Sequence, residues 1–98
     1  MSLPIVFRRI ARVEMDEAIA WYEYRRDGLG IEFTNEIDRH LQRIADNPKH
    51  FPKTRGEIRR AVLQRFPCPI HFLDETNGIV VLAIFHAKRN PVVLEGRR

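Results

Sequence analysis

Apolar residues recur at every third or fourth position through two stretches of the chain, then crowd into short runs in the last third. That change of period predicts two amphipathic helices followed by strands. A brief β-favouring start, Ile5-Val6-Phe7-Arg8, predicts a strand at about residues 4 to 9. From Ala11 onward, Met15, Ala18, Ile19 and Tyr22 fall on one stripe with Glu14, Asp16, Glu17 and Glu23 between them, which predicts a helix ending near Arg26. Its acids lie mainly in the first half and Arg25 and Arg26 close it, the arrangement that complements a helix dipole. Asp27-Gly28-Leu29-Gly30 breaks the pattern, and a second stripe of Phe33, Ile37, Leu41 and Ile44 follows, with Glu36, Asp38, Arg39, Gln42 and Arg43 off it. Asn47-Pro48 ends this helix, because the residue before proline is pushed out of helical backbone angles. Two helices joined by so tight a turn predict an antiparallel hairpin.

Residues 48 to 57 hold two prolines, a glycine and several charges without periodicity, and read as a surface loop. Strands are predicted at Ile58 to Phe66, Ile70 to Asp74 and Ile79 to Phe85, the last two joined through Thr76-Asn77-Gly78. Asn-Gly there predicts a hairpin turn, since both residues tolerate positive φ. The unbroken run Ile79-Val80-Val81-Leu82-Ala83-Ile84-Phe85 predicts an interior strand buried on both faces. The fold class is therefore α+β, in the order β-α-α-β-β-β, with a helical hairpin packed on one face of a small, twisted, mainly antiparallel sheet. At 98 residues, one domain spanning positions 1 to 98 is expected.

Composition narrows the class. Apolar residues make up 44% and charged residues 31%, proportions typical of a folded globule and not of a disordered tail. The longest apolar run is far below the roughly 20 residues that cross a bilayer. No membrane association is expected. The first residues lack the pattern of an export signal, so a cytoplasmic location is expected. Cys68 is the sole cysteine and is flanked by prolines, which excludes an internal disulfide and a thiolate zinc cage and points to an inert core residue. His40, His50, His71 and His86 show no paired ligand spacing, and neither a metal nor a cofactor is expected. Trp21 and Tyr22 read as packing residues.

The net charge of +4 is unevenly placed. Residues 1 to 58 balance ten Lys and Arg against ten Asp and Glu, whereas residues 59 to 98 hold seven cations against three acids. Such an excess attracts phosphates and carboxylates over about 8 Å, unless it only solvates a face. Arg59, Arg60, Arg65, Lys88, Arg89 and Arg97 are the candidate basic, partner-binding surface. Alternation along the third strand gives Arg59 and Arg65 one parity and Arg60 the other, which leaves open the face each occupies.

Several local stretches resemble the RelE/ParE superfamily of bacterial toxins, in the order that family shows. Glu17-Ala18-Ile19-Ala20-Trp21-Tyr22-Glu23 is similar to the acidic, apolar, Trp-Tyr segment of ParE-like toxins, and Leu29-Gly30-Ile31-Glu32-Phe33 to the Leu-Gly-x-x-Phe that opens their second helix. Asn47-Pro48 and Phe51-Pro52 resemble the following loop. Ile58-Arg59-Arg60 with Arg65-Phe66-Pro67 resembles the family's basic strand pair, and His86-Ala87-Lys88-Arg89-Asn90-Pro91 its basic segment after the last strand. The resemblance covers about residues 5 to 92.

It implies the toxin half of a type II toxin–antitoxin, or plasmid stabilisation, system. Two modes of action are implied: binding to DNA gyrase, as in the ParE branch, or cleavage of messenger RNA in the ribosome, as in the RelE branch. Cleavage through a 2′-hydroxyl needs proton-transfer groups, each worth about 10²- to 10⁴-fold, and cations around the phosphate. The nuclease branch supplies these with arginines and lysines and a C-terminal tyrosine or histidine. Here Cys68-Pro69-Ile70 stands where an arginine usually begins the middle strand, and no tyrosine follows Tyr24. His86, Lys88 and Arg89 remain as candidate catalytic residues, His86 because imidazole titrates near neutrality. The resemblance therefore favours a non-enzymatic gyrase inhibitor of the ParE branch, with the nuclease as one alternative and an inactive antitoxin-binding module as another. A cognate antitoxin is implied as partner. Its amphipathic, acidic or mixed-charge segment is expected to cross the sheet and the helical hairpin in a toxin–antitoxin hetero-oligomer.

Overall fold

A computed structural model describes residues 3 to 97. Its elements in chain order are β1 (Ile5–Phe7), α1 (Arg9–Arg25), α2 (Leu29–Asp46), β2 (Lys53–Arg55), β3 (Ile58–Ala61), β4 (Ile70–Glu75) and β5 (Gly78–Ile84), with 3₁₀ turns at Pro48–His50 and Pro91–Gly96. The sheet runs β1-β5-β4-β3-β2, antiparallel throughout except where β1 lies parallel to β5. The predicted α+β class, the helical hairpin and the interior place of β5 are all observed, with one strand more than expected.

Helix α1 begins two residues before Ala11, and its first turn holds no acid, so the expected complement to the dipole is missing there. Packing holds it instead, through Ala11 and Met15 with the half-buried Ala18, Ile19 and Tyr22. The start of α2 is built differently. Gly28 takes φ of 86°, a left-handed angle open to glycine, and the backbone N–H groups of Gly28 and Gly30 each donate to the Glu23 carboxylate at 3.0 Å. One carboxylate thus satisfies two orphan amides and offsets the positive helix end.

Strand β3 stops at Ala61, five residues short of the expected Phe66. The cause is Glu36 on α2, which is fully buried although its position in the sequence reads as polar and outward. Its Oε2 accepts the backbone N–H groups of Gln64 and Arg65, taking two donors that a continued strand would give to β4. Pro67 and Pro69 supply no N–H at all. Conversely, residues 48 to 57 are not only loop: β2 pairs with β3 through Lys53 and Arg55. A three-residue, charged edge strand is too short to show alternation.

The β4–β5 hairpin closes with Thr76 and Asn77 alone between the paired Glu75 and Gly78. Among the described residues no side-chain-bearing residue has positive φ, so Asn77 does not adopt the left-handed angle expected of it. Gly78 does, at φ 151°, one residue before Ile79, whose N–H donates to the Pro4 carbonyl where β1 joins the sheet.

Both faces of the sheet are covered. On the helix side, Phe33, Ile37 and Ile44 pack on Ile70, Phe72, Val81 and Ile84. On the far side, Ile58, Leu73, Leu82, Ala83 and Phe85 form a second cluster with Leu94 of the Pro91–Gly96 turn. A bulge between His71 and Phe72 pairs them with Ala83 and Val81, so Leu82 is extra and the far face gains an apolar side chain. The sequence pattern predicts no element after Phe85. A single buried leucine anchors this one.

Candidate functional site

The end of β5 carries a dense cluster of polar contacts. Glu14 on α1 is buried and reaches under this strand end, where its Oε1 accepts the backbone N–H of Ile84 at 3.2 Å. Two arginines from beyond β5 close on the same carboxylate. Arg97 donates to both oxygens, at 2.8 and 2.9 Å, and Arg89 donates to Oε2 at 3.0 Å. Arg97 also donates to the Leu82 carbonyl at 3.3 Å. Both guanidinium groups stand over the Phe85 ring, at 4.9 and 5.5 Å from its centre, which shields the ion pairs from water.

Beside this knot lies an open cleft of about 290 Å³, walled by Ala18 and Trp21 of α1 and by Phe85, His86 and Arg89. The His86 Nδ1 accepts the backbone N–H of Lys88 at 3.0 Å, so the neutral ring carries its proton on Nε2. At the cleft floor the Tyr22 hydroxyl and the Cys68 thiol are 3.7 Å apart. Burial, then the thiol itself, pushes the Tyr22 hydroxyl above its ordinary value, and burial pushes Cys68 up as well. Cys68 is a protonated wall residue and not a nucleophile.

His71, on β4, sits on the far face opposite Arg60 and is buried with neither ring nitrogen hydrogen-bonded. Burial and then the Arg60 charge lower it to about 4, with Arg97 adding to the effect and Glu14 opposing it. The ring is therefore neutral in the folded protein at neutral pH. As pH falls through about 6.5, the unfolded chain takes up a proton that the folded chain refuses. Stability is then expected to decline between pH 6.5 and about 4, and to level off below that for this group. The loss is about 1–3 kcal/mol across the window. Urea midpoints measured at stepped pH check this: His71→Leu should flatten the dependence without lowering stability at pH 7. A slope that survives the substitution would assign the effect to another group.

The residues marked out by sequence do not form one surface. Arg89 and Arg97 meet at Glu14, with Lys88 and His86 in the turn beside them. Arg60 is exposed on β3. Arg59, of opposite parity, points toward the helix side and donates to the Phe51 carbonyl at 2.7 Å. Arg65 is not on a strand and is ion-paired with Glu32, each partner shifting the other so that both stay charged. Sequence reasoning missed Glu14, Glu36 and His71. The first two fell on the polar side of their helices, and only the rule that buried backbone donors need acceptors singles them out. Of the aromatic pair, Tyr22 packs as expected against Phe33 and Phe66, but Trp21 is 54% exposed.

No group of His, Cys, Asp or Glu side chains among the described residues is placed to hold a metal ion. No helix among them is long and apolar enough to cross a membrane.

Neither family models nor curated proteins match this sequence. Among solved structures, a chain of the chromosomal ParDE TA system from P. aeruginosa superposes with a TM-score of 0.71, covering 87% of this chain and 96% of its own, at 16% identity. The chain thus has a ParE-like fold, the fold implied by its resemblance to the RelE/ParE superfamily.

Proposed function

We propose that this ParE-like fold serves as the cytoplasmic, single-domain toxin of a type II toxin–antitoxin pair, which poisons a protein target by binding and does not cut messenger RNA. The observation that carries the first half is the near-complete overlap with a chain from a ParDE TA system. The second half is supported by the state of the arginines. A phosphate-cleaving site needs cations left open for the phosphate, whereas Arg65, Arg89 and Arg97 are each held by a carboxylate of this chain. His71, the imidazole nearest Arg60, is buried and neutral, and His86 is turned toward its own backbone. Binding a target asks less, only a shaped surface. DNA gyrase is the first candidate target, on the resemblance of the helical segments and the basic strand to the ParE branch. A cognate antitoxin is the second partner.

The expected result is that the purified chain, free of antitoxin, inhibits gyrase supercoiling and leaves messenger intact in a coupled translation reaction. Messenger cut within the ribosome, with supercoiling untouched, would move the assignment to the nuclease branch. Growth unaffected by induction of the chain alone would leave only the inactive binding module.

A further inference from the structure

Helix α1 is apolar on two sides. Its inner face packs on the core, yet Ile10, Val13, Trp21 and Tyr24 are also exposed, by 44, 43, 54 and 90%. With exposed Glu17 they follow steps of three, four, four and three residues, which keeps all five on one outward line about 21 Å long. Exposed apolar residues scattered singly need no explanation, but a line of them along one helix marks a contact surface. The line borders the cleft through Glu17 and Trp21, and the cleft has room for one large apolar side chain against Ala18 and Phe85.

The charges say what covers it. The steps read the same in both directions about Glu17, so a second copy laid antiparallel on this face would match apolar to apolar and press Glu17 against Glu17. A carboxylate pair forced together at the centre of a drying interface opposes that assembly. On the cleft side, Arg25 stacks over the Trp21 ring at 4.8 Å and Arg89 lines the rim. We propose that the outward face of α1 is the seat of an amphipathic helix from another protein, with apolar residues at matching steps, a central cation against Glu17 and acids along the edge facing Arg25 and Arg89. Such a helix lays its apolar stripe along the groove and sets one anchor in the cleft. Its identity as the antitoxin rests on the toxin reading above; the seat does not.

Trp21 is the only tryptophan, so its emission reports occupancy directly. The probe is a synthetic amphipathic peptide of about 18 residues, enough to span the line. It carries leucines at the same steps, glutamates along one edge and a central lysine; a twin carries glutamate at the centre. The lysine peptide is expected to shift Trp21 emission to the blue, saturably, and the twin to bind about tenfold more weakly. Glu17→Lys, an exposed change, should reverse that ranking. Equal binding of the two peptides, or no shift with either, overturns the proposal. So does a dimer in sedimentation equilibrium that Tyr24→Ser dissolves, because the second copy is then the occupant. The titration needs no toxicity, so a chain that leaves growth untouched but ranks the peptides as stated keeps the seat and loses only the antitoxin identity.

Discussion

Glu14→Ala is expected to lower the stability of the chain by about 3 kcal/mol, the low end for breaking a buried ion pair from one side. Four donor nitrogens on three residues lose their acceptor at once: the Ile84 backbone N–H, one nitrogen of the Arg89 guanidinium and both nitrogens that Arg97 presents. Arg89 is half-exposed and returns to water at little cost. Arg97 is the expensive partner, because its side chain is only 12% exposed and the Leu82 carbonyl alone cannot compensate a full charge. Urea denaturation followed by circular dichroism measures the loss. Glu14→Gln, which keeps an acceptor for Ile84 and removes the charge, should fall between the alanine variant and the parent. Limited trypsin digestion gives a second reading, since release of Arg97 loosens the Pro91–Gly96 turn and opens the bond after Arg89. A change below about 1 kcal/mol would mean that the carboxylate merely breaks even against desolvation.

The same knot ties the proposed function to the fold. Helix α1, the end of β5 and the chain after it meet at one carboxylate, so the walls of the cleft are held at a fixed spacing by charge as well as by packing. A surface that binds a partner gains from such prior ordering, because less freedom is lost on association. Arg89 and Arg97, two of the arginines that sequence singled out, are therefore better placed to shape the cleft than to meet a phosphate themselves.

Periodicity shows most of this fold because most of it rests on burial of apolar stripes. The second helix, with Phe33, Ile37, Leu41 and Ile44, and the continuous β5 are legible for that reason alone. What stays hidden is polar. Glu14 and Glu36 sit where an amphipathic helix places solvent-facing residues, and a carboxylate looks the same in a sequence whether it faces water or a row of backbone amides. Strand β3 ends early because Glu36 takes its donors, a contact 28 residues away in the chain. The exposed line on α1 is not legible in the sequence for a related reason: aromatics on a helix usually pack, and only the position of the sheet and α2 around α1 tells Trp21 from Tyr22. The scattering of Arg59, Arg60 and Arg65 follows from strand parity and from the break after Ala61, neither of which net charge reports.

Gly78→Ala is expected to cost about 2–4 kcal/mol, as much as a large cavity in the core, although it adds one methyl group. A Cβ at this position would stand 2.6 Å from the Pro4 carbonyl oxygen, and φ of 151° is unfavourable for any side chain. That oxygen accepts the Ile79 N–H at 2.8 Å, the first bond that joins β1 to the sheet. The methyl group and this bond cannot both be kept. With β1 only three residues long, loss of its first bond weakens the whole parallel pairing of Ile5, Val6 and Phe7 with Ile79, Val80 and Val81. Ile5 and Phe7 then lose their packing against the helix-side core. Gly96→Ala is the matched control: a Cβ there meets nothing within 4 Å, and stability should change by no more than about 0.5 kcal/mol. Hydrogen exchange locates the damage. In the Gly78 variant the amides of Ile79 and of Arg8, whose N–H donates to the Val81 carbonyl, should exchange much faster than those of the β4–β5 pairing. Unchanged protection at Ile79 would mean that β1 docks without the close approach that only glycine permits.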